Sequence, residues 1–424
     1  MPSSDVVVRP PAAGPELAAY LELVAAQFMR DAPPDIRVAD LDRYLGEAPA
    51  GIMPRCAFAG AEMVGGYLIE RRLLRVGAAR IPTGCVGTVV VRPDRRGGGV
   101  GRVLMLDALA FGRDSGMALL LLNGLAGYYR PFGYADVFDA TEHTMRVAEV
   151  RALPPGPYHV REATVDDAAA IRGLYDRHFG PHPGSFERDP SQEAFLVRFG
   201  ASMAGRGYRG RDSLPFSSPL VAVDAEGRVR GYLCPPWGPL RAFGDEVAAD
   251  DWPAVSALAR HKAEGLASLG EPAEFLTWPL APDSLASELL GDHVTVERRA
   301  TVRPWTNWEA AVVSPSRLLA AMVPAWDARW RASRAAWQGT VALSVDGATL
   351  ALRLDAAGVA PVDASQAIHR LELTSRVVAP LLFGFRSVAW ARQQDGQLVP
   401  DGLVPVLETL FPPQVPWVAP TDGC

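Results

Sequence analysis

The order of apolar and polar residues predicts strands that alternate with helices in the first third of the chain. A strand over residues 6–10 and a helix over residues 16–30 come first, and two hairpins follow. Residues 88–91 and 118–122 are continuous apolar runs, which is typical of buried parallel strands. The segment between them has the pattern of an amphipathic helix. This order predicts an α/β domain.

Turn and proline signals divide the rest of the chain. The Pro-Pro-Gly-Pro run at residues 154–157 indicates a linker, so a first domain is expected over residues 1–152. Residues 153–303 repeat the order of elements, which predicts a second domain of the same kind. Residues 304–424 contain a hairpin with an Asp-Gly turn and two amphipathic helices. The expected fold class is therefore mixed α/β (α+β) with three domains.

Composition and charge exclude several classes of protein. The 424 residues are 49% hydrophobic and carry a formal net charge of −6, which predicts several apolar cores and argues against nucleic acid as a partner. Four cysteines and seven histidines are dispersed, so no metal site and no disulfide framework are expected. No signal peptide or membrane-length apolar run is visible, and we expect a cytoplasmic protein without a membrane partner.

A glycine-rich turn follows the first apolar run and precedes a predicted helix. Its residues are Arg96, Gly97, Gly98, Gly99, Val100 and Gly101. Backbone N–H groups at a helix N-terminus bind anions, and glycine lets the chain approach them closely. The turn matches neither the P-loop nor the dinucleotide-binding fingerprint. It predicts a pyrophosphate site, and the alternative is a purely structural left-handed cap.

A second motif, residues 123–134, follows the second apolar run and reads Asn-Gly-Leu-Ala-Gly-Tyr-Tyr-Arg-Pro-Phe-Gly-Tyr. Together with the spacing Arg-x-x-Gly-x-Gly, it resembles the two signatures of the GNAT N-acyltransferases. The resemblance implies acetyl-CoA as co-substrate, with its pantetheine arm inserted between two splayed parallel strands. It assigns the cofactor to the glycine-rich turn and to Val89, Val90, Val91, Arg102 and Asn123.

The same resemblance implies that Tyr129 is the acid that protonates the leaving thiolate. A phenol with a pKa of about 10 is a reasonable proton donor to a thiolate whose conjugate acid has a pKa of about 8.5. The alternative is a core tyrosine with a satisfied hydroxyl. The register of the motif favours Tyr129 over Tyr128 and Tyr134.

The order of the three regions resembles the Eis (enhanced intracellular survival) N-acetyltransferases. In that family two GNAT-like domains, the second without a CoA motif, precede a sterol-carrier-like α/β domain. The resemblance implies a homo-oligomer, a hexamer in that family. It also implies that the terminal carboxylate, here that of Cys424, returns to the active site and orients or deprotonates the amine. The alternative for Cys424 is a frayed terminus.

The substrate is less well specified by the sequence than the cofactor. In the family, acidic and aromatic residues after the first helix hold polycationic amines, and Phe28 and Asp31 occupy that stretch here, next to Arg30. The predicted function is acetyl transfer to a primary amine of a small molecule, either an aminoglycoside-like polyamine or a biosynthetic intermediate. The alternative is a carrier of lipid or another hydrophobic ligand whose GNAT half senses CoA.

Overall fold

The computed structural model describes residues 6–28, 39, 41–43, 45–46, 51–203, 218–235, 244–269, 272–302, 306–394 and 397–423. The strands are β1 (Val6–Arg9), β2 (Ile52–Ala59), β3 (Glu62–Val76), β4 (Ala79–Val91), β5 (Leu119–Leu125), β6 (Ala135–Asp136), β7 (Ala140–Arg146), β8 (His159–Glu162), β9 (Leu220–Val223), β10 (Val229–Cys234), β11 (Glu246–Ala249), β12 (Phe275–Trp278), β13 (Val296–Thr301), β14 (Thr306–Val312), β15 (Gly339–Val345), β16 (Ala348–Asp355), β17 (Gly358–Val362) and β18 (His369–Leu373). The helices are α1 (Pro15–Phe28), α2 (Val100–Asp114), α3 (Val147–Ala152), α4 (Ala168–His178), α5 (Pro190–Met203), α6 (Trp252–Ala267), α7 (Leu285–Gly291), α8 (Pro315–Ala332), α9 (Ser375–Leu382), α10 (Val388–Ala391) and α11 (Val404–Leu410).

The first sheet has seven strands in the order β1-β2-β3-β4-β5-β14-β6. Helix α1 buries Tyr20 and Val24 with side chains of β2 on one side of the sheet. Helix α2 packs Leu104 and Ala108 into a separate apolar cluster that includes Tyr67 of β3. The predicted strand–helix alternation of this region is present, and the strands form the middle layer between two helices.

The parallel pair β4–β5 is hydrogen-bonded over only three residues. Thr83–Cys85 pair with Leu119–Leu121, and beyond that point β4 continues through residues 86–91 without a partner on the β5 side. On its other edge β4 remains paired with β3, with a register irregularity opposite Gly66 and Leu68. One edge of β4 is thus left open where the two apolar strands diverge.

Two strands pair outside the region in which they lie along the chain. Strand β14 follows the second region in the chain, yet it lies antiparallel between β5 and β6 of the first sheet. Strand β7 precedes the second region, yet it forms the centre of the sheet β12-β7-β13. The sheets therefore do not follow the predicted divisions at residues 152 and 304. Long-range antiparallel pairing leaves no local sequence signal, so this arrangement was not expected.

The second region contains a four-stranded antiparallel sheet, β11-β10-β9-β8, in addition to β12-β7-β13. Helix α6 packs its buried Val255, Leu258 and Leu266 among apolar side chains of both sheets. The element order of this region, with β11 followed by α6 and β12, parallels β4, α2 and β5.

The third region consists of the sheet β17-β16-β15-β18 with helices α8 to α11 around it. Strands β15 and β16 form the predicted hairpin, with Asp346 at a positive φ of 45° in its turn. The core of this region is continuous with the first sheet, because Leu319 and Trp326 of α8 share an apolar cluster with Ile81 of β4. The likeness to a sterol-carrier domain stays a prediction. Among the described helices, none is both long enough and apolar enough to span a membrane.

Candidate active site

A cavity of about 1080 Å³ opens where β4 and β5 diverge. Its walls come from the first sheet, from strands that pair outside their own region and from the C-terminal segment. The lining residues are Gln27, Phe28, Val86, Gly87, Thr88, Val89, Val90, Val91, Arg96, Gly101, Asn123, Gly124, Leu125, Tyr128, Tyr129, Phe138, Asp139, Ala140, Thr141, Glu142, Pro279, Arg299, Thr301, Asn307, Trp308, Trp417, Val418, Ala419 and Pro420. The cavity therefore requires all three regions.

The open edge of β4 carries backbone groups that β5 does not pair. Thr88 lies at the irregularity in β4, with a positive φ of 48°, which is unusual for a β-branched residue. The buried Tyr20 hydroxyl lies 2.7 Å from Thr88 Oγ1 and 3.3 Å from its carbonyl oxygen. A Cβ at Gly66 would come within 2.8 Å of the Tyr20 ring, so glycine is needed there for the ring to reach β4. Tyr20 thus stabilises the bulge that shapes the open edge.

The glycine-rich turn ends at a helix N-terminus without a side-chain cap, where the Tyr128 hydroxyl packs closely against Gly101. Gly99 caps α2 in the left-handed conformation, with φ of 84°, and no side chain accepts a hydrogen bond from the first amides. The first N–H groups of an α-helix have no intrahelical partner and carry the positive end of the helix dipole. The side chain of Val100 is buried in the core and holds this end of α2 against the sheet. These amides are therefore available to an anion.

One arginine of the turn faces the cavity while two neighbours are paired elsewhere. Arg92 and Arg95 both form ion pairs with Glu62. Arg96 lines the cavity, where its Nη2 donates to Gln27 Oε1 at 2.9 Å. The turn therefore places one guanidinium beside the exposed amides.

Tyr129 lies at the inner end of the cavity, 9% exposed. Its ring packs against Gly124, where a Cβ would overlap it, and against Tyr134, with ring centroids 5.8 Å apart. Burial raises the pKa of Tyr129 to about 12, and the nearby Tyr128 and Glu309 act in the same direction. The hydroxyl is therefore protonated at neutral pH and can act as a proton donor.

The far side of the cavity carries charged and aromatic side chains that the motifs did not indicate. Asp139, which directly follows Phe138, has an Oδ1 atom that is buried and has no hydrogen-bond partner among the described residues. Burial raises the pKa of Asp139, and Arg386 opposes that shift. Glu142 of β7 lies opposite Arg299 of β13 in the sheet β12-β7-β13, and both line the cavity. This half is suited to a polar ligand with at least one cationic group.

The predicted site residues divide into three groups. Those that line the cavity are Phe28, Val89, Val90, Val91, Arg96, Gly101, Asn123 and Tyr129. Those of the turn and helix start that do not line it are Gly97, Gly98, Gly99, Val100 and Arg102. Asp31 and Cys424 lie outside the described residues.

Sequence reasoning missed the far wall of the cavity. Asp139 follows the second motif by only a few residues, and an acid directly after an apolar pair was a usable signal. Arg299 and Trp308 had no such signal, because long-range strand pairing alone brings them to the site.

Comparison with known proteins agrees with this geometry. Residues 11–137 match the GNAT acetyltransferase domain family. No curated protein sequence matches the chain.

Several solved structures share the fold over almost the whole chain. A GCN5-related N-acetyltransferase from Kribbella flavida is 19% identical, with 98% of this chain and 99% of that one covered and a TM-score of 0.65. One from Anabaena variabilis is 13% identical, with 97% and 99% covered and a TM-score of 0.65. Eis1 from Mycobacterium abscessus is 17% identical, with 98% and 100% covered and a TM-score of 0.61.

The match over residues 11–137 defines the class of this part of the protein: the segment is a GNAT acetyltransferase domain. Over almost its whole length the chain shares the fold of Eis1 from Mycobacterium abscessus.

Proposed function

We propose that the protein transfers an acetyl group from acetyl-CoA to a primary amine of a small molecule. The observation that carries the proposal is the convergence of three features on one cavity. These are the open edge of β4, the N-terminus of α2 without a side-chain cap, and the protonated Tyr129 hydroxyl. Acetyl-CoA supplies the activated acetyl thioester when it is bound.

The residues present fit acetyl-CoA. The amides at the start of α2 and the Arg96 guanidinium suit a pyrophosphate, which is a dianion. Backbone groups of Val89 and Val91 that β5 does not pair can exchange hydrogen bonds with the two amides of a pantetheine arm. The Val91 carbonyl oxygen also accepts a hydrogen bond from Arg96 Nε at 3.3 Å. A chain that follows β4 away from the turn runs toward the cavity end where Tyr129 lies.

Tyr129 holds a proton at its hydroxyl and donates it to the leaving sulfur. Its raised pKa keeps this proton in place at neutral pH until negative charge develops nearby. General acid catalysis of this kind contributes typically about 10²–10⁴-fold.

The amine side of the reaction uses the opposite wall. The half-buried Asp139 attracts a cationic amine, which supports an amine as the acceptor.

We further propose that the terminal carboxylate of Cys424 orients the amine or accepts its proton. Direct transfer from an aliphatic ammonium, with a pKa of about 10.4, to a carboxyl with a pKa of about 3.5 is steeply uphill. The amine therefore attacks after losing its proton through water, with the carboxylate mainly positioning it.

Release of CoA thiol in the presence of a panel of amines tests this function. The panel contains aminoglycoside-like polyamines and monoamines with and without a carboxylate. We expect thiol release that depends on one class of amine, together with an acetylated product of the corresponding mass. Stoichiometric binding of a hydrophobic ligand with no amine-dependent turnover would instead establish a carrier.

A further inference from the structure

The C-terminal segment is bound to the rest of the protein by a buried cluster of charges. We call residues 415–423 the tail. The Asp422 side chain is 1% exposed and accepts hydrogen bonds from three groups. Arg72 of β3 donates from Nη2 to Oδ1 at 2.6 Å, Tyr175 of α4 donates to Oδ2 at 2.6 Å, and Arg188 donates from Nε to Oδ1 at 3.1 Å. Asp422 therefore joins the first sheet to the second region.

The residue before it makes a second attachment. Thr421 donates from its hydroxyl to Glu246 Oε2 at 2.5 Å and from its amide at 3.1 Å. Glu246 of β11 is in turn held by both terminal nitrogens of Arg188, at 2.8 and 3.0 Å, and by the Tyr232 hydroxyl at 2.6 Å. We call Arg72, Arg188, Glu246, Thr421 and Asp422 the tail clamp.

The charges of the clamp compensate one another. Two guanidinium groups face two carboxylates, and all four residues are no more than 5% exposed. A buried charge that loses its partner is strongly unfavourable, because neither water nor another group replaces the lost interaction. The undocked tail would leave Arg72 with only the more distant Glu70, at 3.9 Å. The clamp therefore strongly favours the docked tail.

The docked tail supplies part of the cavity wall. Four consecutive residues, 417–420, line the cavity directly before the clamp. Trp417 donates its amide to the Pro183 carbonyl at 2.9 Å, and its side chain packs in the apolar cluster of the second region with Tyr232. Val418 of this wall shares an apolar cluster with Phe138, the residue directly before Asp139, so the wall adjoins the acidic part of the cavity.

We propose that Asp422 is a positioning residue of the amine site: through the tail clamp it fixes residues 417–420 as a wall of the acceptor half of the cavity. The position of the wall is independent of the reaction, whereas its effect on the amine rests on the proposed acetyl transfer. Loss of the clamp should therefore weaken use of the amine and leave binding of acetyl-CoA intact.

Hydrogen exchange of the full-length protein tests the clamp without reference to activity. In the native protein we expect slow exchange of the amides of Trp417, Thr421 and Asp422, which are hydrogen-bonded. Asp422→Ala should speed exchange in the C-terminal peptide at least 100-fold while peptides of β4 keep their rates. Retained protection of the C-terminal peptide would overturn the proposal. Asp401→Ala, at a side chain that is 89% exposed, is the matched control and should change neither peptide.

A second variant separates release of the tail from general destabilisation. Arg72→Met combined with Asp422→Ala removes one charge of each sign and leaves Arg188 paired with Glu246. We expect this double variant to be more stable than Asp422→Ala alone and still to exchange rapidly at the C-terminus. Recovery of tail protection in the double variant would show that Asp422 does not hold the tail.

Kinetics with the amine found in the thiol-release assay tests the consequence. Asp422→Ala should raise the amine KM at least tenfold and change the acetyl-CoA KM less than twofold. An equal rise in both constants, or none, would contradict a role in the amine site.

A Gly-Ser-Gly extension after Cys424 displaces the terminal carboxylate but not the clamp. If the extended protein keeps tail protection and full activity, the proposed role of the carboxylate fails while the clamp stands.

Discussion

The first and second regions use the same order of elements, a strand, a turn, a helix and a second strand, in opposite ways. In the first region Gly99 is the N-cap of α2, and it supplies no side-chain hydrogen bond to the first amides of the helix. In the second region α6 begins at Asp251, whose carboxylate accepts a hydrogen bond from the Ala254 amide at 3.1 Å. Pro253 removes another amide donor there. The protein's own carboxylate thus occupies the place where the first region can receive an anion.

The strands beside these two helices also differ between the regions. Strands β4 and β5 pair briefly and then diverge around a cavity, whereas β11 and β12 belong to separate sheets. Glu246 of β11 is bound by Thr421 of the tail and by Arg188. In the second region β11 therefore holds the tail. In the first region β4 borders the cavity that is proposed to receive a ligand. The shared order of elements gives the two regions a similar scaffold. A few residues at the start of the helix then determine whether an anion can bind there.

The largest expected effect concerns Tyr129, the proposed proton donor in the cavity of the first region. Tyr129→Phe removes the proton donor while the ring still packs against Gly124, so we expect kcat to fall about 10²-fold or more. The acetyl-CoA KM should change little. Steady-state thiol release measures both constants.

Tyr134→Phe is the matched control, because Tyr134 is fully buried beside Tyr129 and does not line the cavity. It should retain most of the turnover. Equal losses in the two variants, or unchanged turnover in Tyr129→Phe, would remove Tyr129 from its proposed role.

The next effect is a pH dependence of stability in the second region. Burial raises the pKa of Glu193 from 4.5 to about 7, because this carboxyl lies beside the already balanced charges of the clamp. The folded state holds this proton more tightly than the unfolded chain, so this group's contribution to stability is lost as pH rises from about 4.5 to 7 and is level above. Glu193→Gln removes that titration. The free energy of unfolding of the variant relative to the native protein should rise by about 3 kcal/mol between pH 4.5 and pH 8.

Urea unfolding of both proteins at several pH values measures this difference directly. Other carboxylates titrate equally in the two proteins and cancel. A difference that stays constant across this pH range would show that Glu193 is ionised in the folded state at low pH.

The smallest expected effect comes from replacing Gly99, the N-cap of α2, by aspartate, the residue type that caps α6. Gly99→Asp places a carboxylate where the proposed pyrophosphate lies, and Gly99→Asn places an uncharged group of nearly the same size there. Both residue types tolerate the left-handed conformation better than most. Repulsion between like charges near the surface is worth about 1–2 kcal/mol, so acetyl-CoA should bind Gly99→Asp about tenfold more weakly than Gly99→Asn.

Isothermal titration at two salt concentrations measures this pair of variants. The difference should shrink at high salt, because mobile ions screen exposed charges. Equal affinity of the two variants at low salt would place the anion elsewhere.

The short-range features of the site could be predicted from the sequence. The glycine-rich turn before α2, the apolar runs that became β4 and β5, and the motif that contains Tyr129 depend on residues close together in the chain. Their spacing is constrained by turn geometry and by the length of one helix, so it remains visible in the order of residues. The element order of the second region was visible for the same reason.

Tertiary structure alone decided which distant segments complete the cavity. Pairing of β7 and β14 outside their own regions brings Arg299 and Trp308 to the acceptor side, and the clamp brings the tail there. Backbone pairing and buried ion pairs join residues hundreds of positions apart, and they follow from the packing of whole sheets rather than from any local pattern. The chain's sequence therefore specifies the proposed acyl-CoA cradle, whereas the surface proposed to meet the amine exists only once the three regions have assembled.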